Sequence, residues 1–105
     1  MTNKDFNEIV AEQVYYCLSL LGAKGEEYDI GSDDRLHAFK VAAVLQGRTP
    51  KQALAGMLAK HTVSVYDMCN EGEYSLEKWT EKITDSINYL LLLKAMVYEE
   101  VEENE

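Results

Sequence analysis

Proline is nearly absent, with Pro50 the only one in 105 residues. No low-complexity spacer and no internal repeat occurs, which excludes a hinged pair of domains or a tandem array. Strand-like alternation is missing over any useful length, so no sheet is predicted. The longest apolar run, YLLLL at 89–93, is far too short to span a bilayer and ends at Lys94. The N-terminus, MTNKDFNEIV, lacks the apolar stretch of a signal peptide. Cys17 and Cys69 lie in helix-like segments without metal-ligand spacing, which predicts two buried free thiols in a reducing cytoplasm. Basic residues are also scarce, ten against 19 acidic, for a net charge of −9. That deficit opposes direct binding to nucleic acid or to an anionic membrane, since phosphates would be repelled. It leaves room for a single nucleotide held through a divalent cation.

Hydrophobic residues make up 47% of the chain, enough for one core and one domain over 1–105. Helical spacing fills that domain. Phe6, Ile9, Val10, Val14, Cys17, Leu18 and Leu21 predict a first helix from about Lys4 to Leu21, with Gly22 as its stop. Glu8 and Glu12 share a separate face that reads as solvated. The glycine-rich, acidic segment GAKGEEYDIGSDD is predicted to be a loop, with Ser32 or Asp33 capping a second helix over about 34–46. Leu36, Phe39, Val41, Ala42, Val44 and Leu45 make that helix apolar nearly all round, so burial is predicted. Gly47 ends it. Thr49, Pro50 and Gln52 then predict a capping box and a third helix over about 50–69. Its stripe is Leu54, Leu58, His61, Val65 and Met68, and Ala55, Ala59 and Thr62 form a face suited to close helix approach. Ser75 caps a last helix over about 76–101, whose main apolar stripe is Leu76, Trp79, Ile83, Ile87 and Leu90. A tail with five glutamates in its last seven residues, about 99–105, is predicted to fray. The result is an all-α, four-helix, bundle-like fold.

One stretch of the last helix breaks the ordinary pattern. Glu81, Asp85, Asn88 and Leu92 fall within roughly 60° of one another on the helical wheel. A polar stripe therefore runs directly into residues that want a core. Two carboxylates one turn apart repel unless water, cations or a metal relieves them. With an amide oxygen on the next turn they form a plausible half-site for Mg²⁺, which prefers oxygen ligands and retains several waters. The segment KGEEY could complete it through Glu26 or Glu27. The plainer alternative is that Glu81 pairs with Lys78 or Lys82.

Other candidates carry two readings each. His61 shares an apolar stripe, as a hydrogen-bonded core histidine or as a ligand-facing group. Lys60 either meets a phosphate as a point charge or pairs with a local carboxylate. His37 and Lys40 form a small cationic patch that would receive phosphate or merely mark the wet edge of their helix. Lys24 with Gly25 could lend a backbone anion site. Tyr28 and Tyr89 either stack on a base or pack in the bundle.

The set KGEEY (24–28), DDRLHAFK (33–40), AKHTVSVYDM (59–68) and EKITDSINYLLLLKA (81–95) resembles small phage- and prophage-encoded proteins. These are related to the nucleotide-modification-associated family of the all-α NTP pyrophosphatase superfamily, which includes MazG-like enzymes and dimeric dUTPases. The resemblance covers about residues 20–98. It implies a helical, homo-oligomeric protein that uses Mg²⁺ to hydrolyse nucleoside triphosphates between the α- and β-phosphates. Within it, Glu81 and Asp85 match the later acidic pair, Asn88 a polar position one turn on, and Glu27 the acidic position before the tyrosine. The family's early Glu-Glu-x-x-Glu stretch has no counterpart here, so nucleotide binding without turnover is a second implied outcome. A separate reading, from charge alone, is a small acidic protein that binds a host or phage protein, including as a nucleic-acid mimic. The surplus of apolar residues over 90–97 further predicts self-association through the last helix.

Overall fold

The computed structural model describes the backbone of residues 1–28 and 33–104, with side chains at 1–22 and 33–104. Four helices follow in order: α1 (Asn3–Tyr28), α2 (His37–Gln46), α3 (Pro50–Asn70) and α4 (Leu76–Glu103). No strand occurs among the described residues, and none of these helices is long and apolar enough to cross a membrane.

Local chemistry sets several of the helix ends. Thr49 Oγ1 accepts the Gln52 N–H at 3.2 Å, and Gln52 Oε1 accepts the Thr49 N–H at 3.0 Å, with Pro50 opening α3. Ser75 Oγ accepts the Lys78 N–H at 3.1 Å to start α4. Each such cap contributes about 1 kcal/mol. Gly47 closes α2 at φ 63° and donates to the carbonyls of Ala43 and Val44. A side chain there would be strained in the left-handed region.

Other boundaries differ from those the pattern predicts. α1 does not stop at Gly22 but continues to Tyr28. Gly22 keeps a negative φ, and Leu20, Leu21, Lys24, Glu26 and Glu27 are good helix formers that outweigh its roughly 1 kcal/mol cost. α2 begins at His37 rather than 34, because Asp34 turns its carboxylate onto the Leu36 N–H at 2.9 Å. Asp33 is exposed, and Ser32 lies outside the described residues. α4 runs two residues past the predicted end. Lys40 holds Glu99 at 2.6 Å and Lys51 holds Glu100 at 3.0 Å, tying the first part of the acidic tail to α2 and α3.

α2, α3 and α4 share the apolar core, formed by Leu36, Phe39, Leu54 and Met96 with Met57, Leu58, Tyr89, Leu92 and Leu93 around them. α3 and α4 are antiparallel: Lys51 meets Glu100 near one end, and His61 meets Asp85 further along. The predicted α3 stripe does face inward. Three other expectations fail. α2 is not buried all round, since Val44 and Leu45 are 80% and 81% exposed and only Phe39 and Ala43 are fully buried. Ala55, Ala59 and Thr62 face outward. On α4, Leu76, Ile83 and Leu90 are exposed, while Thr84, Asn88 and Met96 are buried. Packing α4 by its polar side leaves Leu76, Ile83 and Leu90 of its main apolar stripe on the outside, with Trp79 and Ile87 half-buried.

α1 lies against α4 through its second half, with Cys17 buried. Gln13 reaches Thr84, while Leu20 and Leu21 line a cavity with Asn88, Tyr89 and Leu92, so the two helices ascend in the same direction.

The continuity of α1 is testable. A Cβ at Gly22 meets nothing within 4 Å. Gly22→Ala is expected to raise stability by about 0.5–1 kcal/mol, read as a higher midpoint in thermal unfolding followed by circular dichroism. A lower midpoint would place the helix end where the glycine suggests it.

Candidate functional site

The inward side of α4 presents Thr84, Asp85, Asn88 and Tyr89 over little more than one turn. α1, α3 and the start of α2 close around them. From α1, Gln13 Nε2 donates to Thr84 Oγ1 at 2.7 Å and lies 3.4 Å from Cys17 Sγ. From α3, His61 places Nδ1 3.9 Å from Asp85 Oδ2 and its ring 5.0 Å from that of Tyr89. The first distance is an ion pair only if the imidazole is protonated, and it is too long for a hydrogen bond. Arg35, just before α2, donates to the Leu21 carbonyl at 3.4 Å.

Asn88 is the anomaly of this seam. It is 6% exposed, and its Oδ1 is buried with no hydrogen-bond partner; His61 Nδ1 is buried and unpartnered as well. Buried polar atoms are satisfied in the great majority of cases, and each exception calls for an explanation. Asn88 lines a cavity of about 40 Å³, and His61 lies beside two of its other lining residues, Asp85 and Tyr89. Leu20, Leu21, Arg35, Asp85, Asn88, Tyr89 and Leu92 line it. That is room for a water or a small polar group. Leu20 also borders an open groove of about 370 Å³ between α1 and α4, shared with Tyr16, Ser19, Thr80, Glu81 and Thr84. Tyr16 donates to Glu12 at 3.0 Å, and that carboxylate raises the phenol above its ordinary value.

The structure thus brings together Asp85, Asn88, His61 and Tyr89 among the residues singled out by sequence. Glu81, one turn earlier, is exposed on the adjoining groove. Lys60 and His37 are exposed. Lys40 is engaged elsewhere, about three turns beyond Asn88 along α4, where it bonds Asp34 and Glu99, each at 2.6 Å. Its ammonium pKa is raised chiefly by the Asp34 hydrogen bond and then by Glu99, while the Asp34 carboxyl is lowered chiefly by Lys40 and then by the Leu36 N–H. The side chains of Glu26, Glu27, Lys24 and Tyr28 lie outside the described residues. Among the described residues, no three His, Cys, Asp or Glu groups converge as a metal cage. Glu81 and Asp85 with the Asn88 oxygen supply hard donors from one helix, a donor set suited to Mg²⁺ only with ligands from another segment. Both cysteines are free; Cys17 is buried as predicted and Cys69 is exposed.

Three participants escaped the sequence reading. Gln13 sits at helical spacing between Ile9 and Cys17, a polar residue inside an apolar stripe. Thr84 lies between Glu81 and Asn88 at i+3 and i+7 on the same stripe. Arg35 gave no periodic signal, because it precedes its helix.

If the seam is kept polar for function, folding should not need it. Asn88→Leu removes an orphaned carbonyl and can expand into the adjacent cavity. It is expected to melt at or above the parent temperature, with a gain within the roughly 1–3 kcal/mol that an unsatisfied buried group costs. A clear loss of stability in chemical denaturation would show that Asn88 is a structural partner instead. Comparison with family models, curated proteins and solved structures yields no match, so the meaning of this seam rests on its own residues.

Proposed function

We propose that this chain binds nucleoside triphosphates with Mg²⁺ as an all-α, MazG-like pyrophosphohydrolase-type protein, in the host cytoplasm if phage-encoded. One observation supports the reading most: Asn88 carries a buried, unpartnered carbonyl oxygen beside Asp85, on a polar stripe turned toward the interior. A stripe that merely faced solvent would not hold such an atom. Function is the usual reason for tolerating this kind of local cost.

In this reading Glu81 and Asp85 hold Mg²⁺ together with Glu27, and Asn88 orients a phosphate oxygen or a water. Mg²⁺ supplies charge neutralisation at the phosphates and lowers the pKa of water. Lys60, exposed on α3, would bring a positive charge to the phosphates, while Lys40 is held by Asp34 and Glu99 and leaves His37 as the exposed group of the α2 patch. Tyr89, whose ring is tilted against that of His61 at 5.0 Å, would be one aromatic partner for a base, and Tyr28 the other. The reaction is hydrolysis: a water oxygen bonds to the α-phosphorus, the bond to the α–β bridging oxygen breaks, and nucleoside monophosphate and pyrophosphate leave with release of a proton. No side-chain nucleophile is required. Homo-oligomerisation, also part of this reading, concerns surfaces away from Asp85.

A second reading is a small acidic protein that binds a host or phage protein. The net charge of −9 and the exposed apolar faces of α1 and α4 favour it.

Thermal unfolding with millimolar Mg²⁺ separates the two. A hundredfold excess over the dissociation constant stabilises the folded state by about 2.7 kcal/mol. Wild type is expected to shift upward, while Glu81→Gln and Asp85→Asn respond weakly or not at all at unchanged helicity. Equal shifts in all three proteins, or none in any, would remove the metal assignment. If Mg²⁺ binds, incubation with nucleoside triphosphates and analysis for monophosphate and pyrophosphate distinguishes turnover from binding.

A further inference from the structure

Just over one turn each of α1 and α4 walls the open groove of about 370 Å³. Its volume suits a small ligand, and most of its wall is carbon. Leu20 borders both this groove and the Asn88 cavity, so the two spaces adjoin. Thr80 lies about 12 Å before Asn88 along α4, the reach of an extended nucleotide.

The polar atoms fixed in the groove are of one kind. Tyr16 donates its hydroxyl proton to Glu12 at 3.0 Å, and Thr80 donates its own to the Leu76 carbonyl at 2.8 Å. Each oxygen is then left able only to accept. Glu81, exposed beside them, also accepts only, because an ionised carboxylate has no proton to give. Thr84 Oγ1 is buried and already accepts from Gln13 at 2.7 Å. Ser19, at the open edge, can turn its hydroxyl either way. A polar ligand that fills this groove must therefore bring donors. The Tyr16 ring, 41% exposed and tethered through its hydroxyl to the preceding turn, is a fixed face for a flat ring.

We propose that the α1–α4 groove seats the base of the nucleotide and selects bases that carry an exocyclic amine, such as cytosine and adenine, over those with a carbonyl in its place, such as uracil and hypoxanthine. The inference rests on the nucleotide reading and refines it. Tyr16 takes the base in place of Tyr89, whose half-buried ring lies against His61. The amino group has two protons to give to this set of acceptors. A carbonyl oxygen in the same place would face only other acceptors, and they would lose their water without gaining a partner. A carboxylate that gives one oxygen to Mg²⁺ keeps the second as an acceptor, so Glu81 serves both parts of the site. The phosphates then run past Glu81 toward Asp85 and Asn88.

Nucleosides without phosphate, in buffer without Mg²⁺, separate the groove from the metal reading. The isotope-labelled full chain is titrated with cytidine and uridine, which differ at one edge of the ring, and with adenosine and inosine, and amide shifts are followed by NMR. Cytidine and adenosine are expected to move the amides of Tyr16, Ser19, Thr80 and Thr84, with dissociation constants on the order of 1 mM for so small a ligand in an open groove. Uridine and inosine should bind at least about fivefold more weakly, the worth of one hydrogen bond where water competes. Glu81→Gln adds a donor beside the acceptor and is expected to bring each pair close to parity. Tyr16→Phe keeps the ring, removes an acceptor and should narrow the preference. Ser19→Trp, at an exposed position, fills the groove and should abolish the shifts; if it loses helicity, the mapped shifts of wild type still locate the site. Equal binding within each pair overturns the proposal. So does binding that maps to Tyr89 and His61, or no shift with any of the four nucleosides. A groove that fails in this way in a protein that Mg²⁺ still stabilises removes the base seat alone. A groove that binds cytidine in a protein indifferent to Mg²⁺ supports the seat and removes the metal assignment alone.

Discussion

α4 is packed by its polar side, and most of the structure follows from that. Thr84 and Asn88 take positions that leucines would ordinarily fill, and Leu76, Ile83 and Leu90 are displaced to the surface. Apolar burial scales with area, so exposing such a stripe forfeits stabilisation on the order of 1.5–3 kcal/mol per side chain fully withheld from a core. A chain of this length has one core and little stability to spare. The arrangement persists because the interior side of α4 has Met96, Leu92, Leu93 and Tyr89 further along. That apolar half anchors α2 and α3 and carries the polar half inward with it. One rigid helix thus joins a conventional core to an unconventional seam.

The seam draws on four segments distant in sequence. Gln13 comes from α1, His61 from α3, and Asp85 and Asn88 from α4, with Arg35 from the approach to α2. Interactions among such groups strengthen in a low-dielectric setting, and an unpaired member is correspondingly costly. The Gln13–Thr84 bond at 2.7 Å satisfies one side of the seam, while Asn88 Oδ1 and His61 Nδ1 remain open on the other. Of the two, Asn88 lines the small cavity, while His61 lies behind Tyr89.

The local parts of this architecture were legible in the sequence. Thr49-Pro50-Lys51-Gln52 and Ser75 signal their caps through side chains that reach only three residues. The α3 stripe through Leu54, His61 and Met68 is regular enough to orient that helix. Non-local choices were not legible. Periodicity shows that α4 has an apolar stripe and a polar one; it does not say which faces α3, and here the polar side won because it leads into Leu92 and Met96. Gly22 reads as a stop by propensity, yet nothing there demands a left-handed residue. α2 is apolar nearly all round, but burial needs neighbours on every side, and this chain supplies them on one. Within the site, Asp85, Asn88 and His61 were visible as odd residues on their stripes, whereas Arg35 enters only through the path of the chain between helices.

The attachment of α1 has a consequence for access. α2, α3 and α4 are joined by short turns and share the apolar core. α1 adds its second half to α4 through Cys17, the Gln13–Thr84 bond and the leucines at 20 and 21. A unit held by so few buried groups is the one that opens at the lowest free energy, without global unfolding. Its departure would lift Leu20 and Leu21 off the cavity wall and present Asp85 and Asn88 to solvent while the core stays intact. In hydrogen-exchange terms the amides of α1 would lose protection well before those of α3. The hinge of the site is therefore the helix that chain order puts first and packing holds most lightly.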